Sequence, residues 1–215
     1  MSIPPSCMKP AGRPRAADIE ARNQELIEAS CRLFLEHGYT RVSLETIARE
    51  ARVAVRTIYV KFGGKAGLLR AALASRRERL FGEHAIDADM RPLREVIDDF
   101  ARDFHALLVA PEAIAMQRVV IAEAGSNPEL AEAFFEGGPR MTREMLDRYF
   151  RRPDVRSQLR DDVPLEMLPA HLIGCICGDP MGRFLFPDAE PTGDEARKQL
   201  AARLELFYRS VLKNG

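Results

Sequence analysis

The fold is decided by residues 43–62, which read SLETIAREARVAVRTIYVKF. Apolar residues at helical spacing predict one short helix over residues 44–51 and a second over residues 55–61. Ser43 is well placed to cap the first helix, because its hydroxyl can accept a hydrogen bond from a free backbone N–H. Only residues 52–54 remain to join the two helices, and this spacing is typical of a DNA-binding helix-turn-helix.

The second of these helices has an unusual surface for a helix that meets only water. Val53 and Ile58 can hold it to the scaffold, which leaves apolar and basic side chains on the outside. Exposed valine and tyrosine side chains suit thymine methyl groups and the sugar-phosphate backbone, and arginine suits guanine. The residues predicted to face or flank DNA are Val55, Arg56, Thr57, Tyr59, Val60 and Lys61.

Helices also flank this unit, and the charge is distributed unevenly around it. One helix is predicted over about residues 17–37, ended by Gly38, and another over about residues 65–80 after a glycine pair. Residues 1–80 hold 15 basic and 8 acidic side chains, a formal charge of +7, whereas the remainder holds 17 and 24, or −7. This arrangement is expected of a DNA-binding head on a body with another task.

Fixed spacings of apolar and aromatic residues extend beyond the two short helices. They comprise Phe34, Gly38-Tyr39, Ser43-Leu44, Ile47-Ala48, Ala51, Val53, Thr57-Ile58-Tyr59, Phe62, Lys65 and Leu68. This pattern resembles the signature of the TetR (tetracycline-repressor) family. The resemblance implies DNA-backbone contacts at Ser43, Thr57, Tyr59 and Lys65, and it implies operator reading by Val55, Arg56 and Val60.

Three residues depart from that family pattern. Arg52 replaces the usual turn glycine, which places a side chain where a positive φ is expected, at a cost of about 1 kcal/mol. Ala54 replaces the usual serine cap, which forfeits about another 1 kcal/mol. Ala66 stands where glutamate is common. We expect these changes to weaken the turn locally and to leave the fold intact, and Arg52 can recover part of the cost by reaching a phosphate.

A basic arm over residues 1–16 precedes the first helix. Arg13 and Arg15 are candidate DNA contacts, because basic arms beside helix-turn-helix units reach into the minor groove or along phosphates. The alternative is a solvated tail that does not touch DNA. The stretch has no apolar h-region, so a signal peptide is not expected.

The rest of the chain also predicts helices, beyond a polar boundary at about residues 82–90. Proline and cap signals place them at about residues 92–109, 111–124, 128–136, 140–151, 165–185 and 193–212. The chain is therefore predicted to be all-α. The stretch from Ile121 to Pro139 is similar to the AefR-like branch of the family. The predicted domains are the arm (1–16), the helix-turn-helix domain with its connecting helix (17–80), and a ligand-binding and dimerisation domain (81–215).

A small-molecule effector needs a largely apolar cavity with a few polar groups that fix its orientation. The candidates for the cavity lining are Phe100, Phe104, Met116, Val120, Phe134, Met145, Tyr149 and His171. Ordinary core packing is the alternative for each of them. His171 is the candidate for orienting the ligand, and its alternative is a satisfied histidine in the core or at an interface.

The last two predicted helices are the candidate interface of a homodimer. The glycines allow another helix to approach closely, and the final helix carries an apolar stripe with no partner within the head. The predicted interface residues are Gly174, Gly178, Leu200, Leu204, Phe207 and Val211. Two helices from each protomer would then form a four-helix interface about a two-fold axis.

Other chemistry is thinly represented. The four histidines are scattered and no G-x-S-x-G motif occurs, so neither an enzyme nor a metal or cofactor site is expected. The four cysteines predict free thiols, with a redox switch at Cys175 and Cys177 as the alternative. No run approaches the length of a membrane span, so a cytoplasmic location is expected.

These patterns predict a dimeric, ligand-responsive repressor. It would bind a pseudo-palindromic operator of double-stranded DNA and be released by a small molecule. The alternative is a helical small-molecule-binding protein or enzyme that has lost DNA binding, which the irregular turn at residues 52–54 motivates. The basic head favours the repressor.

Overall fold

The computed structural model describes residues 16–81, 86–186 and 191–213, and within them it contains helices and no strand beyond one isolated bridge. The α-helices are α1 (Ala16–His37), α2 (Leu44–Glu50), α3 (Val55–Phe62), α4 (Lys65–Phe81), α5 (Leu93–Val109), α6 (Pro111–Glu123), α7 (Pro128–Phe135), α8 (Met141–Arg151), α9 (Pro153–Arg156), α10 (Leu168–Cys177), α11 (Pro180–Leu185) and α12 (Gly193–Val211). This confirms the all-α prediction. Arg13 and Arg15 lie outside the described residues.

Local signals set several of the helix ends. Ser43 accepts a hydrogen bond from Thr46 N at 3.2 Å at the start of α2, and Asn127 accepts one from Leu130 N at 3.1 Å at the start of α7. Gly38 follows α1 with a φ of +82°, a conformation that costs glycine little. These caps confirm the helix ends that the sequence predicts there.

The single helix predicted over residues 165–185 is wrong, because the structure divides this segment into three pieces. Leu165–Met167 forms a 3-10 turn, and α10 ends before Gly178, whose φ of +65° and ψ of −126° interrupt the helix. Asp179 then caps α11, with Pro180 in its first turn. The apolar pattern continues across the break and hides it. That pattern also predicts neither α9 nor the π turn (Glu136–Arg140) ahead of α8.

Two hydrophobic clusters pack the described helices. The first joins the four helices of the head and extends into α6 and α7 of the body. The body residues in it are Met116, Val120, Leu130 and Ala133. The second cluster joins α5, α8, α10 and α12. Because burial of apolar surface is the main stabilising force, the head is held directly against α6 and α7.

No single helix in the described ranges has the length and apolar composition of a membrane span. The pair α5 and α6, bent by 65°, meets those criteria only when its two helices are taken together. α5 contributes buried side chains to the second hydrophobic cluster, and α6 contributes them to the first.

Candidate DNA-binding surface and effector cavity

The turn between α2 and α3 has the unusual backbone that its sequence predicts. Arg52 has a φ of +53°, and no other described non-glycine residue has a positive φ. Ala54 precedes α3 without a side-chain cap. The Val53 N–H donates to Ala48 O at 2.9 Å, which closes the turn onto α2. Both departures from the family pattern thus have the expected local effect, and the two helices stay in place.

α3 is amphipathic, and it exposes the outer side chains that were predicted to meet DNA. Ile58 is buried in the head, whereas Tyr59 and Val60 are 58% and 74% exposed. The other predicted contacts on this helix are exposed (Arg56, Lys61) or half-buried (Val55, Thr57). A short helix without acidic residues that exposes apolar and basic groups is suited to the major groove. The DNA contacts themselves stay a prediction.

Two exposed members of the predicted contact set, Ser43 and Lys61, also make hydrogen bonds within the head. The hydroxyl of Ser43 caps α2, and the Lys61 ammonium donates to Asn23 Oδ1 at 2.6 Å. Ser43 and Lys61 are both exposed. Each side chain can therefore bind a phosphate in addition to its partner in the head, or in place of that partner.

Lys65 is directed into the head, where it ties the start of α4 to the turn after α1. Its ammonium donates to Tyr39 O at 2.8 Å and to Val42 O at 3.0 Å, and it lies 4.4 Å from the centre of the Tyr39 ring. Partial burial lowers the pKa of Lys65, against the raising influence of Glu123 and Glu129. One N–H is left for a phosphate, and that contact stays a prediction.

A carboxylate from the body holds the head just ahead of the helix-turn-helix. Glu123, the last residue of α6, accepts hydrogen bonds from Tyr39 N (3.0 Å), Thr40 N (2.8 Å) and Thr40 Oγ1 (2.5 Å). Gly38 leaves room for it, because a Cβ there would lie 2.7 Å from Glu123 Oε1. Desolvation opposes ionisation, but the hydrogen bonds and Lys65 outweigh it, and the pKa of Glu123 lies below its usual value.

A cavity of about 690 Å³ lies between the head and the body. It is bordered by α1 and α4 on one side and by α5, α6, α7, the start of α8 and α10 on the other. Its apolar lining consists of Ile27, Leu35, Leu69, Ala72, Leu73, Phe104, Leu107, Leu108, Met116, Phe134 and Ile173. This volume falls within the range of about 300–1,000 Å³ that small-molecule sites occupy.

Three of the eight residues that were predicted to bind the effector line the cavity. The three are Phe104, Met116 and Phe134. Four others belong to the packed clusters and do not line the cavity: Phe100, Val120, Met145 and Tyr149. His171 is also corrected, because it lies on the exposed face of α10, where its Nε2 and Ser210 Oγ share a hydrogen bond of 3.2 Å. Apolar periodicity marks inward-facing positions, but it cannot show which of them border an empty volume.

Sequence reasoning missed the charged part of the cavity lining. Five arginines and three glutamates border the cavity: Arg32, Arg76, Arg77, Arg79, Arg143, Glu28, Glu36 and Glu112. They come from four different helices, so only the folded chain brings them together. The one signal in the sequence is the basic cluster at residues 76–79, which by itself predicts a charged surface and no cavity.

Cys31 lines the same cavity as a neutral thiol. Burial raises its pKa to about 11, against the lowering influence of Arg76 and Arg79. Burial also raises the pKa values of Cys175 and Cys177. Because the thiolate is the reactive form, these environments favour free, unreactive thiols over a redox switch.

The apolar stripe of α12 faces inward, and this corrects most of the predicted dimer interface. Four predicted interface residues are at most 6% exposed and belong to the protomer's own core: Leu200, Leu204, Phe207 and Val211. Gly178 is half-buried beside the guanidinium of Arg203. Gly174 is exposed, and so is Leu206 on the outer face of α12, at 66%. The stripe has no partner in the head because its partners are α5, α8 and α10.

Family models match both parts of the chain. Residues 26–72 match the model of the bacterial regulatory proteins of the tetR family, and residues 95–210 match the C-terminal domain of AefR-like transcriptional repressors. The chain therefore belongs to the TetR family, with an AefR-like C-terminal domain, as the sequence resemblance implied. It is a helix-turn-helix transcriptional regulator and not an enzyme.

Similar proteins align with both the head and the body. The chain is 27% identical over 179 residues to an uncharacterised HTH-type transcriptional regulator of Mycobacterium bovis, which covers 80% of this chain and 81% of that protein. The flavonoid-responsive regulator FrrA aligns at a TM-score of 0.70 and 24% identity, over 91% of this chain and 100% of FrrA. NalD, the secondary repressor of the MexAB-OprM multidrug efflux pump in Pseudomonas aeruginosa, aligns at 0.66 and 24%, over 92% and 100%.

Proposed function

We propose that this regulator is a dimeric repressor that binds a pseudo-palindromic operator and is released when a small molecule occupies the cavity. The observation that carries the proposal is the direct link between the two sites. α6 borders the cavity, and its last residue, Glu123, holds the turn ahead of α2. A ligand that displaces α6 would therefore change the position of the DNA-reading helix.

DNA recognition by two heads follows from the small size of one. A single head offers one short helix, which reads only a few base pairs, so useful specificity needs two heads in register. A two-fold dimer would place its two α3 helices in major grooves about 34–36 Å apart, or a multiple of that. A regulator of this kind acts on the DNA of the cell, so the proposed place of action is the cytoplasm.

The cavity supports control by a small molecule. α4 borders it and directly follows α3, so the cavity wall and the recognition helix are continuous in the chain. An effector that binds two arrangements of α4 and α6 with affinities that differ by about 1–3 kcal/mol is sufficient for regulation. FrrA is flavonoid-responsive and NalD is a repressor, and both share this fold, which supports repression with an effector in this chain.

The test is retention of genomic DNA by the full-length protein at two salt concentrations. We expect selective retention of a few fragments, falling steeply with salt, because log K drops by about 0.9 per neutralised phosphate for each unit of log salt concentration. A protein that has lost DNA binding would retain no fragment selectively. The double variant Arg56→Ala/Tyr59→Ala should lose the retention, and Arg118→Ala, an exposed arginine of α6, should keep it.

A further inference from the structure

We propose that the effector is an apolar molecule with an anionic group, such as a carboxylate, a sulfonate or an ionised phenol, and that Arg77 and Arg143 recognise this group. The inference deepens the proposed function and rests on it, because it names the class of effector for the same cavity.

The wall of the cavity fits the apolar part of such a molecule. Apolar atoms make up the larger part of the lining surface, and two of its uncharged polar side chains each make one hydrogen bond. Gln117 Nε2 donates to Leu108 O at 3.5 Å, and Thr142 Oγ1 donates to Gly138 O at 3.3 Å. The Gln117 amide keeps an acceptor oxygen and a second N–H that can bind a ligand, but only the charged side chains can discriminate the charge of a ligand.

The charged side chains of the lining give it a net positive charge. Five arginines and three glutamates leave an excess of two cations. Three of the arginines have carboxylate partners: Arg32 with Glu50 at 2.5 Å, Arg76 with Glu112 at 3.6 Å and Arg79 with Glu28 at 3.6 Å. These pairs account for both Glu28 and Glu112.

Arg77 and Arg143 are the two cations of the lining that have no carboxylate partner among the described residues. Arg143 lies over the ring of Phe135, with 5.3 Å between its Cζ and the ring centre. The remaining carboxylate of the lining, Glu36, is about half exposed (52%) and lies 3.7 Å from His37. Arg77 is half-buried and Arg143 is exposed, so two guanidinium groups without a carboxylate partner border the cavity. A guanidinium matches the planar geometry of a carboxylate.

This distribution of charge discriminates between ligands of the same shape. An anion gains attraction from a guanidinium group that it reaches. The apolar lining strengthens this attraction at the half-buried Arg77, and solvent weakens it at the exposed Arg143. A neutral molecule gains only apolar contact, and a cation is repelled. We therefore expect affinity to fall in the order anion, neutral molecule, cation.

Two fluorescent probes that share the same ring system test the preference for the anion over the neutral molecule on the full-length protein. The anionic probe is 8-anilinonaphthalene-1-sulfonate, and the neutral one is N-phenyl-1-naphthylamine, which lacks the sulfonate. We expect the sulfonate to bind at least about tenfold more tightly at low salt, and its advantage to shrink as salt screens the charges. Equal affinity, or a preference for the neutral probe, would overturn the proposal.

Arginine variants assign the preference to particular side chains. Arg77→Gln and Arg143→Gln should each lower the affinity for the sulfonate several-fold without changing that for the neutral probe, and the double variant should abolish the preference. Arg118→Gln is the matched control, because Arg118 is exposed on α6 and outside the lining. An unchanged preference in the double variant, or an equal loss in the control, would overturn the assignment.

A filling variant tests that the probes occupy this cavity. Ala113 lies in its wall, so Ala113→Phe should weaken both probes alike, with thermal unfolding as the check on folding. Wild-type affinity for both probes in a folded variant would overturn the cavity as the site, and the arginine variants decide the proposal if this variant does not fold. A failure of the proposed function is detected by a different experiment. It would appear in the DNA-retention test, which uses no fluorescent probe, as the absence of selective retention.

Discussion

At the scale of single residues, Arg52 is the one described non-glycine residue with a positive φ. Its φ of +53° lies in the left-handed region, which costs a non-glycine residue about 1–2 kcal/mol. Glycine removes that cost, although its greater freedom in the unfolded chain cancels part of the gain. We expect Arg52→Gly to raise the free energy of unfolding by about 0.5–1 kcal/mol in urea denaturation.

The control for this prediction is Arg49→Gly. Arg49 is also exposed but lies inside α2, where glycine is unfavourable by about 1 kcal/mol relative to alanine. This variant should therefore lose stability. If Arg52→Gly loses stability as well, contacts of the arginine side chain outweigh the backbone strain.

Arg56 is the residue of α3 expected to read a base. Its side chain is exposed, and a bidentate contact with guanine contributes about 1–3 kcal/mol of discrimination. Arg56→Ala should relax specificity at one base pair, whereas Tyr59→Ala should weaken binding to every sequence alike. Titration of operator variants with single base changes measures both. A uniform loss in Arg56→Ala would assign this side chain to a phosphate.

Features that depend on one turn of the chain were predictable from the sequence, and features that depend on distant partners were not. The positive φ of Arg52, the missing cap at Ala54 and the cap at Ser43 each follow from a residue type within its own turn. Lys65 and His171 instead take positions set by groups 26 and 39 residues away. A pattern within one helix cannot predict contacts between residues that lie so far apart in the chain.

At the scale of helices, the contact between α6 and the head is the link on which the proposed release of DNA depends. Each oxygen of the Glu123 carboxylate accepts a backbone N–H. Glu123→Gln replaces one of these acceptors by an amide donor, which would face another donor at a cost of about 1–3 kcal/mol. We expect lower stability in urea and faster hydrogen exchange in the turn at residues 38–40.

The same contact predicts a pH dependence. The pKa of Glu123 in the folded protein lies below its usual value of 4.5, so its ionised form stabilises the fold above that pH. The stability difference between the wild type and Glu123→Gln should be full at neutral pH. It should shrink as the pH falls below about 4.5 through the lowered pKa. Urea denaturation across that range measures the difference.

Glu132→Gln provides the comparison for this pH series. Glu132 is exposed on α7, and its carboxylate makes no hydrogen bond or ion pair with the described residues. Its variant should match the wild type at every pH. A stability difference in Glu123→Gln that stays constant with pH would show that the charge of the carboxylate does not hold the head.

The helices were predictable where proline, glycine and cap residues mark their ends, and the cavity between them was not. Pro111 and Pro128 stand at the first positions of α6 and α7, as their sequence predicts. A cavity is a volume that side chains leave empty, and its lining depends on how α1, α4 and α6 pack. Apolar spacing describes one face of one helix, so it cannot report that volume.

At the scale of the whole molecule, the protomer core uses one face of α12 and leaves the opposite face for the proposed dimer. The protomer core takes Leu204 and Phe207, so the outer face is the one that remains for a second copy. That face exposes Leu206, and the neighbouring α10 exposes His171 and Gly174. The missing side chain of Gly174 allows a partner helix to approach closely.

We therefore expect Leu206→Asp to split the dimer and to abolish specific DNA binding, because an unpaired charge is costly in a buried interface and one head reads few base pairs. Ile121→Asp is the matched control, since Ile121 is similarly exposed (60%) on α6, away from this face. It should stay dimeric and keep its DNA affinity. Sedimentation together with titration of a retained DNA fragment measures both properties.

Phe207→Asp separates the core from the interface on the same helix. Phe207 is fully buried among α5, α8, α10 and α12, so a charge there should unfold the body instead of releasing a folded monomer. Circular dichroism and sedimentation of Phe207→Asp beside Leu206→Asp distinguish the two outcomes. If Phe207→Asp is a folded monomer, the dimer interface lies on the inner apolar stripe of α12 (Leu200, Leu204, Phe207 and Val211). A dimeric Leu206→Asp with wild-type DNA affinity would move the interface to another face of the molecule.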